Sequence, residues 1–558
     1  MHFTSRTTSN NTPLSFDFAG KNVTRFGGLP LALDFLRKQK FFDSFVAVFD
    51  EFAPRPKPHF RYDNSDLVTQ ITTSNIAGFC DFHDVDHLKE DPLFMHSVNS
   101  VGPASAPTLQ RFFDKVQTTS EKQRREKLEG AGLKLEDLPS LSKTDPLLIA
   151  PEFMVRLNKA LLNKSIEILE HRGDTENIVI DIDSTPVELH GNQQHRAYDA
   201  HYGINGYLPI LITVNNHPAW VQIAPGAANG AALALLHIRT ILQTVKTKFP
   251  DALVVVRADT GYNNNSLIQA IVDENARFII GNNACGGKYQ TEAVLKEFSE
   301  TLATHPNIDS IPKQVLQALC PERFELTPAP IGIGDEERVK FRSSGLLKNY
   351  QPKSWTFART IAYRLQYNSD FKKNGSELNF RFIQTNLNDD EIQRLSNGRG
   401  VEKQRSVPEA SLETDPAAAH KSIELYEGIF CDRGNDERMN SEWKSSCYAS
   451  LCSCSGFFAN ALRMFFSAVS MQAMQLIGCV SMREEDRPTP KKKRRSAKPN
   501  VTRAHKARKI FFGPTIRSIR EFLIRVPATV TSRKRRIHIS LAHMKAPFAL
   551  AFQRLAQL

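Results

Sequence analysis

Apolar residues along this chain follow two different periods. From Leu29 to about Lys134 they recur at helical spacing. Leu31, Leu33, Phe35 and Leu36 begin one stripe, and Leu67, Val68 and Ile71 another. After the Gly102-Pro103 turn, Ser105-Ala-Pro107-Thr-Leu-Gln-Arg-Phe-Phe has a helix start, with Ser105 as N-cap and Pro107 in the first turn. A short helix with Gln110 and Arg111 exposed suits the DNA-reading helix of a helix-turn-helix, and equally an ordinary helical pair.

From about Asn177 the pattern changes. IVIDIDSTPVEL, YLPILITV and WVQIAP are β-branched runs between polar segments and predict strands. Ala231–Phe249 predicts an amphipathic helix, ALVVVRADTGY a strand, Ser266–Glu274 a helix and ARFIIGNN a further strand. Three strands, a helix, a strand, a helix and a strand describe an α/β sheet domain. The run VVV implies burial on both faces. Between residue 284 and about 420, FELTPAPIGI, SWTFARTIAYRL and NFRFIQTNL alternate with polar turns and predict a β-rich insertion. The polar stretch from Asp390 to His420 predicts a mobile connection. Helices resume at about Glu437 and over Gly456–Leu476.

The expected organisation is a disordered N-terminus (1–20), a helical DNA-binding or dimerisation domain (21–150) and the first part of an α/β core (151–283). The insertion (284–420), the second part of the core (421–480) and a basic linker with a C-terminal DNA-binding segment (481–558) complete it. A length of 558 residues suits two to four domains. No run of about 18 apolar residues lacks a charge, so no membrane span is expected, and Phe457–Gly478 is read as a buried helix. The N-terminus MHFTSRTTSNN has no apolar signal-peptide region, which points to a cytoplasmic, nucleoid-associated protein.

Charge alters the picture. The net charge is +12, but from Lys491 onward 19 Lys and Arg face a single acid, Glu521. That segment carries +18 and the rest of the chain −6, an asymmetry that points to nucleic acid as partner. Its densest run is Lys491, Lys492, Lys493, Arg494 and Arg495. Of the eight cysteines, Cys447, Cys452 and Cys454 cluster without paired C-x-x-C spacing or a matching His, so buried reduced thiols are expected.

Candidate chemistry lies in three carboxylates. Asp183 ends one predicted strand, with Asp181 on the same face, and Asp259 ends another. Strand ends are where ligands sit in open α/β sheets. Far downstream, Arg433, Glu437 and Lys444 are spaced four and seven apart, so they share one helix face as an acid flanked by two bases. Two strand-end carboxylates and one helical carboxylate suit two divalent ions about 3.5–4 Å apart, and oxygen-only ligands favour Mg²⁺ or Mn²⁺. Each residue also has a plain structural reading. Asp259 before Thr260-Gly261 is a turn former, and Arg433 with Glu437 is an i,i+4 pair.

At these residues the sequence resembles the bacterial insertion-sequence transposases of the DDE superfamily, in the IS-thirteen-eighty family of the wider IS-four-like group. DIDSTPVELHGNQQHRAYDAHYGINGYLPILI resembles the first-Asp block and VVVRADTGY the second. Phe430, Arg433, Glu437 and Lys444 fit the signature Tyr, two residues, Arg, three residues, Glu, six residues, Lys, with Phe in place of Tyr. FGGLPLALDFL, SAPTLQRFFDK and FFANALRMFFSAV extend the likeness over roughly Phe26 to Met474.

The resemblance implies an RNase H-like catalytic core interrupted by a β-rich insertion. It implies Asp183, Asp259 and Glu437 as the catalytic and metal-binding triad, with two Mg²⁺ or Mn²⁺ ions, and Arg433 and Lys444 as phosphate contacts. The implied activity is cut-and-paste transposition by two-metal phosphoryl transfer. The implied partners are terminal inverted repeats and target DNA, engaged by a homodimer in a synaptic complex. Two other readings stay open: a metal-dependent nuclease on the same fold, and a non-catalytic or repurposed DNA-binding protein.

Overall fold

The computed structural model describes residues 3–5, 14–16, 22–98, 102–130, 151–282, 288–302, 316, 319, 340–368, 378–396, 410–411, 416–482, 515–533, 536–542, 544 and 548–558. FELTPAPIGI and Lys491–Arg495 lie outside them.

The chain opens with the short strands β1 (Phe3–Ser5), β2 (Leu14–Phe16) and β3 (Val23–Thr24). Helices α1 (Leu29–Lys38), α2 (Asp43–Phe52), α3 (Asn64–Ala77), α4 (Asp84–Leu88), α5 (Pro92–Val98), α6 (Ala106–Gly130) and α7 (Glu152–Arg172) follow. Helix α6 is 25 residues long, not the short recognition helix expected. Its buried stripe continues past Leu109, Phe112, Phe113 and Val116 through Ser120, Arg124 and Leu128. Arg111 is exposed there, whereas Gln110 is half-buried and donates to Asp114.

The sheet-forming part comprises β4 (Asn177–Ser184), β5 (Val187–Glu188), β6 (Ala197–Asp199), β7 (Ile204–Tyr207), β8 (Ile210–Val214) and β9 (His217–Gln222). Then come α8 (Gly230–Lys248), β10 (Leu253–Ala258), α9 (Asn265–Asp273), β11 (Arg277–Gly281) and α10 (Lys288–Leu302). Strands β4, β8, β9, β10 and β11 and helices α8 and α9 fall where the hydrophobic pattern predicts them. The insertion supplies β12 (Lys340–Tyr350), β13 (Arg359–Asn368), β14 (Leu378–Thr385), α11 (Asp389–Ser396) and β15 (Ala410–Ser411).

One nine-stranded mixed sheet runs β15-β12-β13-β14-β11-β10-β4-β8-β9. β10 lies parallel to both β4 and β11, and β8 and β9 continue antiparallel. The insertion therefore extends the same sheet, because β14 pairs with β11. Part of the stretch read as mobile is helical. Asn388 and Glu391 form a reciprocal capping box that starts α11, each side chain accepting from the other's backbone N–H at 2.9 Å.

After α12 (Pro416–Ile423), the chain passes through a π-helical stretch (Glu424–Ile429) and a 3₁₀ turn (Phe430–Arg433) into α13 (Gly434–Ser441). Helix α14 (Phe457–Ser481) is the only candidate membrane span by length and composition among the described residues, and most of it is buried in the fold. It packs against α1, α3, α6, α7 and β9. Phe465 meets Phe45 edge-on, and Phe466 stacks on Phe49. Its buried polar side chains make hydrogen bonds across the core: Gln472 donates to the Leu161 carbonyl, and Arg463 to that of Cys80. One hydrophobic cluster extends from Phe26 through the sheet and α14 to Leu555. The C-terminal segment joins it through α15 (Ile516–Ile519), β16 (Ala528–Arg533), β17 (Arg536–Leu541) and α16 (Phe548–Gln557), with β16 paired to β3. Cys447, Cys452 and Cys454 are buried free thiols.

Two histidines are held neutral by this core. His217 in β9 shares a hydrogen bond with Gln475 of α14, and burial lowers its pKa to about 4. His237 in α8 lies against Trp220, and burial lowers its pKa to about 3. The unfolded chain takes up these protons near pH 6.5, so the stability they contribute is whole above that pH and is lost as pH falls toward 4. Urea unfolding at pH 7.5 and 5.5 should show a smaller pH-dependent loss for His217→Gln than for the parent chain.

Candidate active site

The site forms where β4 and β10 end side by side. Ile182 pairs with Ala258 in parallel register, so Asp183 and Asp259 occupy the next position on neighbouring strands, about 4.8 Å apart by strand spacing. Two residues before them on each strand, Asp181 faces Arg257. Arg257 Nε and Nη2 donate to the two oxygens of Asp181, at 2.5 and 2.8 Å, and both side chains are buried. The third arm, Nη1, donates to the Ile429 carbonyl at 2.7 Å. This ties β4, β10 and the segment leading into α13 at one point. It also removes Asp181 from contention as a ligand, because both oxygens are engaged.

Asp259 does what its turn-former reading predicts and something more. Its Oδ1 accepts the Gly261 N–H at 2.8 Å and caps the 3₁₀ turn Thr260–Tyr262. Gly281 at the end of β11 leaves room for that turn, since a Cβ there would lie 2.8 Å from the Thr260 nitrogen. The other oxygen, Oδ2, faces Arg433 Nη1 at 3.5 Å. Asp183 is more enclosed. Its Oδ1 accepts the Ser184 N–H at 3.1 Å and its Oδ2 accepts Asn440 Nδ2 at 2.6 Å. Burial is the main cause that raises its pKa to about 6; Asp259 raises it further, while Arg433 and the two hydrogen bonds oppose the rise.

Helix α13 and its flanks deliver the remaining candidates. Arg433, Glu437, Asn440 and Lys444 recur at intervals of four, three and four, and so line one face. Arg433 reaches Asp259 and Asn440 reaches Asp183. Lys444 turns inward, donating to Thr185 Oγ1 at 3.0 Å and the Pro186 carbonyl at 2.8 Å just beyond β4. That differs from an open phosphate contact. A π-helical turn over Glu442–Ser446 brings it there. Glu437 is exposed between the two contact points on this face. Phe430 packs on Tyr426, with ring centroids 5.7 Å apart.

Sequence reasoning missed Asn440, although its place three residues after Glu437 was a usable signal. It also missed Tyr202. That residue is 46% exposed; burial, then the charges of Asp259 and Asp183, raise its pKa.

The chemistry of the donors suits a hard divalent cation, since Asp183 and Asp259 offer neighbouring carboxylate oxygens. The fit is incomplete as the side chains stand. Among the described residues no three or more His, Cys, Asp or Glu side chains form a metal-holding group, and Glu437 remains outside the acidic pair. Two polar atoms here are buried without a hydrogen-bond partner, Arg433 Nη1 and Asn440 Oδ1. Unmet donors and acceptors in a carboxylate site mark room for a ligand.

The model of the family described as Transposase DDE domain group 1 matches residues 6–492. The chain belongs to this DDE transposase family. Comparison with curated proteins finds no match. Membership implies a DNA-cleaving catalytic role and DNA binding, and DDE transposases generally use divalent metals.

The geometry separates a structural carboxylate from a candidate functional one. Asp181→Ala leaves Arg257 buried without its counter-charge and should cost about 3–5 kcal/mol in urea unfolding. Asp259→Ala removes a half-exposed carboxylate and one turn hydrogen bond, and should cost only about 1 kcal/mol. Equal losses would place Asp259 among the structural acids.

Proposed function

We propose that this DDE transposase cuts and pastes its element by two-metal phosphoryl transfer, with Asp183, Asp259 and Glu437 as the metal-holding triad. The observation that carries the reading is the joint placement of Asp183 and Asp259 at adjacent strand ends, under a helix face bearing Arg433, Glu437 and Asn440. Strand order supports an RNase H-like core. β9, β8, β4, β10 and β11 are neighbours in the sheet, with two antiparallel pairings on one side of β4 and parallel pairings on the other. The insertion then separates the second Asp from the Glu, as in the IS-thirteen-eighty family that the sequence resembles.

Two Mg²⁺ or Mn²⁺ ions held by these carboxylates would activate the attacking oxygen and stabilise the leaving one. The chain's own side chains do the rest. Asn440 orients Asp183 through Oδ2. Arg433 lies 3.5 Å from Asp259 with its Nη1 lacking a hydrogen bond, a guanidinium suited to gripping the scissile phosphate as a fork. Lys444 steadies the Thr185–Pro186 turn next to Asp183, a positioning role. Terminal inverted repeats and target DNA are the substrates, and a homodimer synapses the two ends. The helical segment 21–150 and the basic segment 481–558, including Lys491–Arg495, would hold DNA outside the catalytic core.

A labelled duplex carrying the element's terminal repeat, incubated with protein and Mg²⁺, tests the reading. Metal-dependent cleavage at the repeat boundary should disappear in Asp183→Ala, Asp259→Ala and Glu437→Ala, while end binding persists. Asn440→Ala should slow cleavage by about 10–100-fold, as expected for a partner that orients a ligand. Cleavage at the parent rate in Glu437→Ala would remove that residue from the triad. Cleavage without strand transfer from pre-cut ends would favour the nuclease.

A further inference from the structure

A second charged feature lies outside the catalytic strand ends. The loop after α2 and the start of α6 enclose an open cleft of about 880 Å³. Arg55, Arg61, Lys89, Arg111 and Lys115 line it, and no Asp or Glu does. Lys89 is paired with Asp86 at 3.1 Å. Arg55, Arg111 and Lys115 have no ion pair among the described residues. Arg55 and Arg111 face one another closely enough that Arg111, after burial, helps lower the pKa of Arg55.

The cleft is built rigidly. Arg55 Nε donates to the Tyr62 carbonyl at 3.2 Å, and its guanidinium sits 4.4 Å above the Phe60 ring. Tyr62 Oη donates to the Pro103 carbonyl at 3.3 Å, tying the loop to the turn before α6. Gln70 clamps Ala104 through both its backbone groups, at 2.6 and 2.9 Å. Phe112 and Phe113 anchor α6 in the core, so the spacing of Arg111 and Lys115 on its exposed side is fixed. Like charges held together without acids are unfavourable alone and favourable around a polyanion.

We infer that this cleft seats the phosphate backbone of duplex DNA, gripped by Arg55, Arg111 and Lys115. The contact is with phosphate, so it positions DNA without reading its sequence. The choice of DNA over another polyanion rests on the DNA-transposase reading; the cleft and its charge do not.

The test uses the full chain, a labelled random-sequence duplex and no divalent metal. Fluorescence anisotropy over a range of salt concentrations compares the parent with Arg55→Gln/Arg111→Gln/Lys115→Gln. Three lost phosphate contacts should make the slope of log K against log salt shallower by about 2.7, at about 0.9 for each contact. Affinity at low salt should fall at least about tenfold, equally for any sequence. Chemical acetylation of the parent chain gives an independent readout. Duplex DNA should protect Lys115 and spare Lys122, which is exposed further along α6 and paired with Glu126. An unchanged slope and affinity, or equal Lys115 reactivity with and without DNA, would overturn the inference. So would protection of Lys115 by polyglutamate but not by DNA. Because neither readout involves cleavage, their failure leaves the catalytic reading standing, and inactive triad variants leave the cleft untouched.

Discussion

The buried pairing of Asp181 with Arg257 is the constraint on which the site depends. It joins β4 to β10 side chain to side chain, two residues before Asp183 and Asp259 on each strand. Through the Ile429 carbonyl it also fixes where the chain enters the helix that carries Arg433, Glu437 and Asn440. Three segments more than 70 residues apart in sequence are thereby placed together. A buried ion pair is a weak source of net stability, but breaking one is expensive. Its value here is in register: a slip of one residue would turn Asp183 and Asp259 away from their shared position.

Around that tie, the fold puts contrasting demands on its acids. Asp181 is fully engaged, Asp259 is split between a turn amide and Arg433, and Asp183 is buried enough that protonation competes with charge. A cation bound between Asp183 and Asp259 would favour both charged forms. Arg433 already provides part of that effect. In the proposed triad Glu437, exposed on the same helix face, is the third acid.

The hydrophobic pattern made the central sheet legible. Strands β4, β8, β9, β10 and β11 and the buried helix α14 have strong apolar runs, and the strand-end positions of Asp183 and Asp259 follow from them. Less was legible where tertiary contact decides. Both Asp181 and Asp183 look like candidate ligands on one strand, and only the presence of Arg257 opposite distinguishes them. Lys444 reads as a surface base by spacing, yet a π-helical turn directs it to Thr185 and Pro186. The β-rich character of the insertion was visible, but its edge-on addition to β11 depends on long-range pairing that periodicity does not carry. The length of α6 was missed because its later buried stripe includes Ser120 and Arg124, which do not register as apolar.

The central claim is that Asp183, Asp259 and Glu437 act as one cation site. Calorimetric titration of Mn²⁺ into the full chain bound to duplex DNA tests it most directly, with Asp183→Asn and Glu437→Gln beside the parent. The account predicts saturable Mn²⁺ binding in the parent that is lost or greatly weakened in both variants. Undiminished binding in Glu437→Gln would contradict the three-carboxylate site, and undiminished binding in both variants would place the metal elsewhere.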